Sequence, residues 1–194
     1  PVNFYTGFAN TGLDLTGENE WSTGVNLTNL LHTEQSLGYH FSTDERFERL
    51  RSHSVFYQLP LPWRHTLSLI GAYVSSEAPG DPTTSLLPLD LMGESIQATA
   101  NYRIPLPRRG LPMRHYFTLG ADYKSTNTDL VFGGESVFDS SAAVVQYRAE
   151  YEAILTDKLG QTRITLAGIY APGDVLLYND DASFAALREG ASAD

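Results

Sequence analysis

Five histidines, one glycine-flanked serine and an acidic cluster are the residues here whose types could carry chemistry. His32, His40, His53, His65 and His115 occur singly, none at the i,i+2 or i,i+4 spacing that turns two imidazoles toward one metal. Two of them stand beside an arginine, and all five read as isolated polar residues. Ser136 in Gly133-Gly-Glu-Ser-Val-Phe138 is half of a nucleophile elbow, but Phe138 occupies the place of the closing glycine and a long loop replaces the strand-turn-helix. Asp174, Asn179, Asp180 and Asp181 offer oxygen ligands of the kind calcium takes, without the spacing of an EF-hand loop, and read as a solvated acidic loop. Asn26-Leu-Thr28 matches a glycosylation sequon by chance, and no phosphate loop or dinucleotide fingerprint occurs. The sequence thus assigns no catalytic, cofactor-binding or metal-ligating residue, and the chain reads as something other than an enzyme.

The chemistry that remains lies in a pattern. Between Glu94 and Pro107, Ile96, Ala98, Ala100, Tyr102, Ile104 and Leu106 alternate with mostly polar neighbours. That is a strand with one apolar and one polar face. Phe117, Leu119, Ala121 and Tyr123 repeat the pattern, as do Val145, Tyr147, Ala149, Tyr151, Ala153 and Leu155. Opposite them stand Gln97, Thr99, Asn101 and Arg103, then Asp122 and Lys124, then Gln146, Arg148, Glu150 and Glu152. Charges of both signs behind an apolar face suit a hydrated lumen in which cross-strand partners satisfy one another, so these ten are the candidate pore-lining residues. The solvent face of a soluble sheet has the same period.

Strands are predicted at roughly 2–9, 18–30, 35–43, 52–61, 65–76, 94–106, 115–127, 142–155 and 162–172, with a short helical turn at Ser183–Arg188. Several reach the roughly 9–11 residues that a tilted strand needs to cross a bilayer. Short connections at His32–Glu34, Pro62–Arg64, Pro107–Arg114 and Thr156–Gln161 alternate with long ones at Thr43–Arg51, Ala78–Gly93, Thr128–Ser141 and from Gly173 onward. Short turns at one end and long loops at the other are the habit of outer-membrane barrels. Arg64, Arg108, Arg109, Arg114 and Lys158 fall in the short turns, and most acidic residues fall in the long loops. Trp63, Tyr57, Tyr102 and Tyr116 toward the turns, with Tyr73, Tyr123 and Tyr170 toward the loops, are candidates for two aromatic girdles. A weak repeat joins Leu59-Pro-Leu-Pro62 before Thr66–Tyr73 to Ile104-Pro-Leu-Pro107 before Tyr116–Tyr123.

Composition fits this reading. The 194 residues are 42% hydrophobic and carry a formal charge of -10, with 13 Lys+Arg against 23 Asp+Glu and no cysteine. The acidic balance argues against a nucleic-acid partner, whose phosphates demand clustered Lys and Arg. Absence of cysteine removes disulfide scaffolds and thiolate sites. No apolar run approaches the roughly 18 residues of a membrane helix. Neither a leader before Pro1 nor a closing element before Asp194 is legible, so the chain reads as a segment of a longer one.

The order of motifs resembles the barrel of two-partner secretion transporters, the outer-membrane proteins that export haemolysins and filamentous haemagglutinins. The resemblance lies in Thr11-Gly-Leu-Asp-Leu-Thr-Gly17, Val25-Asn-Leu-Thr-Asn-Leu-Leu31 and Gln35-Ser-Leu-Gly-Tyr39, then in Ser54–Pro62 with Thr66–Tyr73, and finally in Asn179–Phe184 with Leu187-Arg188. It implies a plug helix, two POTRA domains and a barrel of about sixteen strands, of which residues 1–194 would supply the first half or so, without the POTRA domains. The Val-Arg-Gly-Phe motif of the family's pore loop has no match here, so no functional residue carries over.

The expectation is therefore an all-β, antiparallel, up-and-down transmembrane β-barrel segment of about nine to ten strands, an incomplete barrel in the bacterial cell outer membrane. Its expected partners are outer-membrane lipid and a secreted haemolysin- or adhesin-like protein, with no cofactor. A different outer-membrane barrel, either a pore or a barrel-assembly factor, and a soluble all-β binding module stay open beside it.

Overall fold

Alternating side chains on an extended backbone leave the N–H and C=O groups pointing sideways, and a neighbouring strand satisfies them. The computed structural model describes residues 1–10, 18–30, 33–78, 89–108, 113–132, 135–158 and 160–188. It contains β1 (Val2–Ala9), β2 (Glu20–Leu30), β3 (Gln35–Asp44), β4 (Leu50–Pro60), β5 (Thr66–Ala78), β6 (Leu89–Pro105), β7 (Met113–Phe132), β8 (Glu135–Thr156), β9 (Gln161–Tyr170) and a short helix α1 (Asp181–Leu187). The nine strands form one sheet in chain order, every neighbouring pair antiparallel. β1 and β9 are its two edges, so the sheet is an unclosed up-and-down array. Residues 11–17 of the opening motif, with Leu31, His32, Asp81, Arg109, Gly133 and Gly134, lie outside the described residues.

Registers lock all nine strands into two common faces. Ser68, Asn101, Gly120 and Arg148 form one lateral row, and Leu69, Ala100, Ala121, Tyr147 and Tyr170 form a row on the opposite face. Each strand touches only its chain neighbours, and the helix touches β8. No second layer therefore covers the apolar face among the described residues. Ala142, Ala143, Ala153 and Ile154 are the buried hydrophobic residues, whereas Phe4 (81%), Tyr147 (52%) and Leu119 (48%) stand bare. A soluble sandwich buries such a face against a second sheet. Here the fold supplies no second sheet.

The strands run further than the alternation predicts. β6, β7 and β8 hold 17, 20 and 22 residues, because pairing continues from Thr128↔Ser140 through Phe132↔Glu135. The predicted loop at Thr128–Ser141 is thus a hairpin with only 133–134 between its strands. On both faces this stretch carries polar residues such as Asn127, Thr128, Asp129, Asp139, Ser140 and Ser141, so its hydrophobic period vanishes while its ladder persists. The predicted loop at Thr43–Arg51 likewise shrinks to 45–49.

Two connections show how local chemistry sets register. Between β4 and β5, the Arg64 N–H donates to Leu61 C=O at 2.9 Å and the Leu61 N–H to His65 C=O at 2.8 Å. Pro62 presets the first turn residue, and Arg64 takes the left-handed conformation at φ 68° that closes a three-residue hairpin. Between β3 and β4, the Asp44 side chain does the work. Only 2% exposed, its carboxylate accepts the backbone N–H groups of Arg46 (3.1 Å), Glu48 (2.9 Å), Arg49 (3.0 Å) and Leu50 (3.2 Å). Burial pushes its pKa up, but the four donors favour the charged form more strongly and hold it below the ordinary carboxylate value.

Asp44→Ala strands those donors and is expected to cost about 1–3 kcal/mol, read as a lowered urea midpoint. Because the folded pKa is depressed, this stabilisation is complete above the ordinary carboxylate value and fades as pH falls through the lowered one. Asp44→Asn should flatten that acid limb of the stability curve.

Candidate functional site: the polar face of the sheet

The ten residues singled out from the sequence all fall on one face of β6, β7 and β8. Register pairs Gln97 with Lys124, Thr99 with Asp122 and Asn101 with Gly120, and on the other side Asp122 with Gln146 and Gly120 with Arg148. Thr99 Oγ1 donates to Asp122 Oδ1 at 2.6 Å, and the Gln97 amide donates to Thr99 Oγ1 at 3.4 Å. Arg148 donates to Glu150 at 3.3 Å and, over the intervening β7, to Asn101 Oδ1 at 3.0 Å.

Arg103 also crosses β7. It meets Glu152 Oε2 at 2.5 Å while its guanidinium lies 3.9 Å from the Tyr116 ring centroid. Glu152 takes a second cation, Arg163 of β9, at 3.0 Å, so one carboxylate is shared by two guanidinium groups. Tyr116, an expected girdle residue, therefore belongs to the polar face, where it forms a platform for Arg103. Arg163 is the residue sequence reasoning missed. β9 alternates weakly, and only the register Ile154↔Arg163 brings it beside the others.

The face continues across β1–β5 with small and polar side chains, among them Asn26, Ser42, Ser54, Gln58 and Ser68. Gly24 sits on it because Tyr5 lies across that spot, its hydroxyl 3.2 Å from His40 Nδ1 and its ring stacked on the imidazole. A Cβ at Gly24 would stand 2.4 Å from the Tyr5 ring and 2.8 Å from the backbone oxygen of Tyr39. At Gly120 the added atom would press only on the end of the Asn101 side chain, at 2.8 Å, with Arg148 Nε and Cβ at the ordinary contact distances of 3.4 and 3.5 Å.

On the opposite face the histidines are not isolated. Tyr39 bonds His53 at 2.7 Å, Tyr102 bonds His65 at 2.6 Å and Tyr151 bonds His115 at 3.2 Å. Phe41, His53 and Tyr73 cluster toward the loop end, and Trp63, His65 and Tyr102 toward the turn end, where Trp63 Nε1 also donates to the Tyr102 hydroxyl. Tyrosine–histidine pairing across strands leaves no trace in spacing, since the partners lie 14 to 37 residues apart. No group of three or more His, Asp or Glu side chains suited to a metal occurs among the described residues. Ser136 lies on β8 and donates to Asp129 at 2.6 Å, and Asn179 and Asp180 serve the backbone around α1.

No family model matches this sequence, and no curated protein matches it either. Among solved structures the chain is similar to CdiB from Escherichia coli, with a TM-score of 0.74 and 13% identity over 90% of this chain and 32% of that one. CdiB from Acinetobacter baumannii aligns with a TM-score of 0.46 and 16% identity over 86% of this chain and 31% of that one. The first likeness establishes a shared fold, of the kind that the resemblance to two-partner secretion transporters implied. The chain spans about a third of the length of that CdiB chain.

Gly24→Ala is expected to destabilise more than Gly120→Ala. The first pits a methyl group against backbone, whereas the second displaces one amide and forfeits about 1 kcal/mol of hydrogen bonding to Arg148. Urea unfolding followed by tryptophan fluorescence ranks the two.

Proposed function

We propose that this chain is part of an outer-membrane β-barrel, and that the intact protein exports a partner polypeptide by two-partner secretion. The observation that carries the reading is a single-layer sheet with a bare apolar face backed by a hydrogen-bonded ladder of charges. On β6 the outward positions run from Ile96 through Ala98, Ala100 and Tyr102 to Ile104, with Glu94 just beyond them. At ~3.4 Å per residue that stretch covers about 27 Å of strand. A tilt near 45° turns it into about 20 Å of height, close to the outward apolar band of such barrels. The two aromatic–histidine clusters bound the band at either end, where amphipathic rings favour a membrane–water boundary.

The polar face then lines the lumen. Three of its cations, Arg103, Arg148 and Arg163, are paired with Glu150 and Glu152, so a passing chain meets a wet wall on which much of the charge is already matched, which favours transit over retention. This is transport rather than catalysis, and the fold likeness to CdiB supports it. Outer-membrane lipid would cover the apolar band, and the secreted partner, haemolysin- or adhesin-like, would occupy the lumen. The strands that close the barrel would come from the rest of the protein.

A charge placed on either face separates this reading from a soluble module. Leu119→Lys on the apolar face is expected to cost about 2–4 kcal/mol in lipid vesicles, and Thr118→Lys on the polar face close to none. In water Leu119 is already exposed, so a soluble sheet would tolerate both substitutions alike. Equal stability of the two variants in the membrane, or folding without lipid or detergent, would overturn the proposal.

A further inference from the structure

The β9 ladder on β8 stops at Tyr170↔Tyr147, and Pro172 follows with no N–H to continue it. β8 runs on to Glu135, so its edge above Tyr147 needs another partner. The segment 173–188 supplies one. Ala143 N–H donates to Tyr178 C=O at 2.8 Å, and the Asn179 amide donates to Ala143 C=O at 3.0 Å. Asn179 is 1% exposed and also closes its own turn, its Oδ1 accepting the Val175 N–H at 3.2 Å and its carbonyl accepting the Asp174 N–H at 2.7 Å. Asp174 and Tyr178, both non-glycine, hold left-handed φ values of 57° and 62° within this turn. Tyrosine is an uncommon occupant of that region, so the turn is a sprung one.

From the latch, α1 passes onto the polar face. Phe184 looks into a cavity of about 380 Å³ shared with Ala72, Val74, Gln97, Lys124 and Val144 of that face. Ala142 and Ala143 point to opposite faces and are both buried, at 5% and 2%, so the segment wraps the edge of β8. Phe184 thus borders a pocket that is partly open to solvent and does not fill it, and little dispersion energy resists its separation from the face. What fixes the segment is therefore the hydrogen bonding at Ala143.

We propose that residues 173–188 form a lid over the lumen at the acidic rim, latched to β8 by Asn179 and displaced by a polypeptide leaving the pore. This inference rests on the transport reading above. The latch makes closure the resting state, and the under-filled seat beneath Phe184 lets the lid lift without disturbing the sheet.

The test uses the full-length protein with any cysteine outside this chain replaced by serine, since this chain itself holds none. Phe184→Cys with Val144→Cys, joined by a reductant-cleavable bis-methanethiosulfonate reagent, pins the lid to its seat, and Val144→Cys alone with the same reagent is the control. In planar lipid bilayers the joined form is expected to conduct several-fold less than wild type, with reduction reversing the loss. Asn179→Ala is expected to raise conductance several-fold without cross-linking. Failure of the pair to join, or equal conductance before and after cleavage of the link, would overturn the lid. If no form conducts, the transport reading falls and the lid falls with it.

Discussion

An extended backbone must satisfy its hydrogen bonds sideways, and in a single-layer sheet only the neighbouring strand can do so. Everything else in this chain depends on that. Because the nine strands pair in registers that shift only near their ends, between Thr28 and Leu30 and between Leu130 and Val131, each residue's face is decided jointly: a one-residue slip mid-strand would send a row such as Leu69, Ala100, Ala121 and Tyr147 to the wrong side. Within a bilayer the same requirement tightens, since lipid offers the backbone no partners at all. A sheet with this ladder is suited to that setting and poorly suited to water, where it would present Phe4 and Leu166 uncovered.

The register also organises electrostatics. Arg103, Glu152 and Arg163 are far apart in sequence and meet only because β6, β8 and β9 lie at fixed lateral spacings. The side chains of Arg103 and Arg163 are 44% and 63% exposed, so screening limits what these pairs add to stability. Their contribution is arrangement: three guanidinium groups held against two carboxylates on one face. Acidic residues gather at the opposite end, where Asp44 turns a carboxylate inward to hold a turn and Asp180 caps α1 through the Ser183 N–H at 2.8 Å. The same residue type serves as turn clamp, helix cap and rim charge according to the number of backbone donors it meets.

Two features break the regular pattern, and both lie at the loop end. β7 and β8 extend beyond the apolar band as a hairpin whose Asn127–Asp129 and Asp139–Ser141 stretches are polar on both faces and whose tip carries Leu130, Val131, Phe132, Val137 and Phe138. The segment after β9 folds back over the β8 edge that β9 leaves unpaired. Each follows from the strands being unequal: a long β8 beside a ten-residue β9 creates an edge, and a folded segment covers it.

Strand number, strand order and the two faces were legible in the sequence, because hydrophobic alternation reports directly which side of a strand meets an apolar medium. Gln97 through Glu152 were assigned to one face on that ground, and the register agrees. The true ends of β6, β7 and β8 were not legible, because in the β7–β8 hairpin polar and apolar residues come in runs, Asn127–Asp129 then Leu130–Phe132, so alternation disappears although pairing continues. Arg163, the tyrosine–histidine pairs and the side on which Tyr116 lies were decided only by tertiary structure. Contacts between strands depend on register, which arises from the summed pairing of whole strands and is written in no single residue's spacing. The sequence by itself determined that this chain has two unlike faces; the fold decided that no second layer within the described residues covers the apolar one.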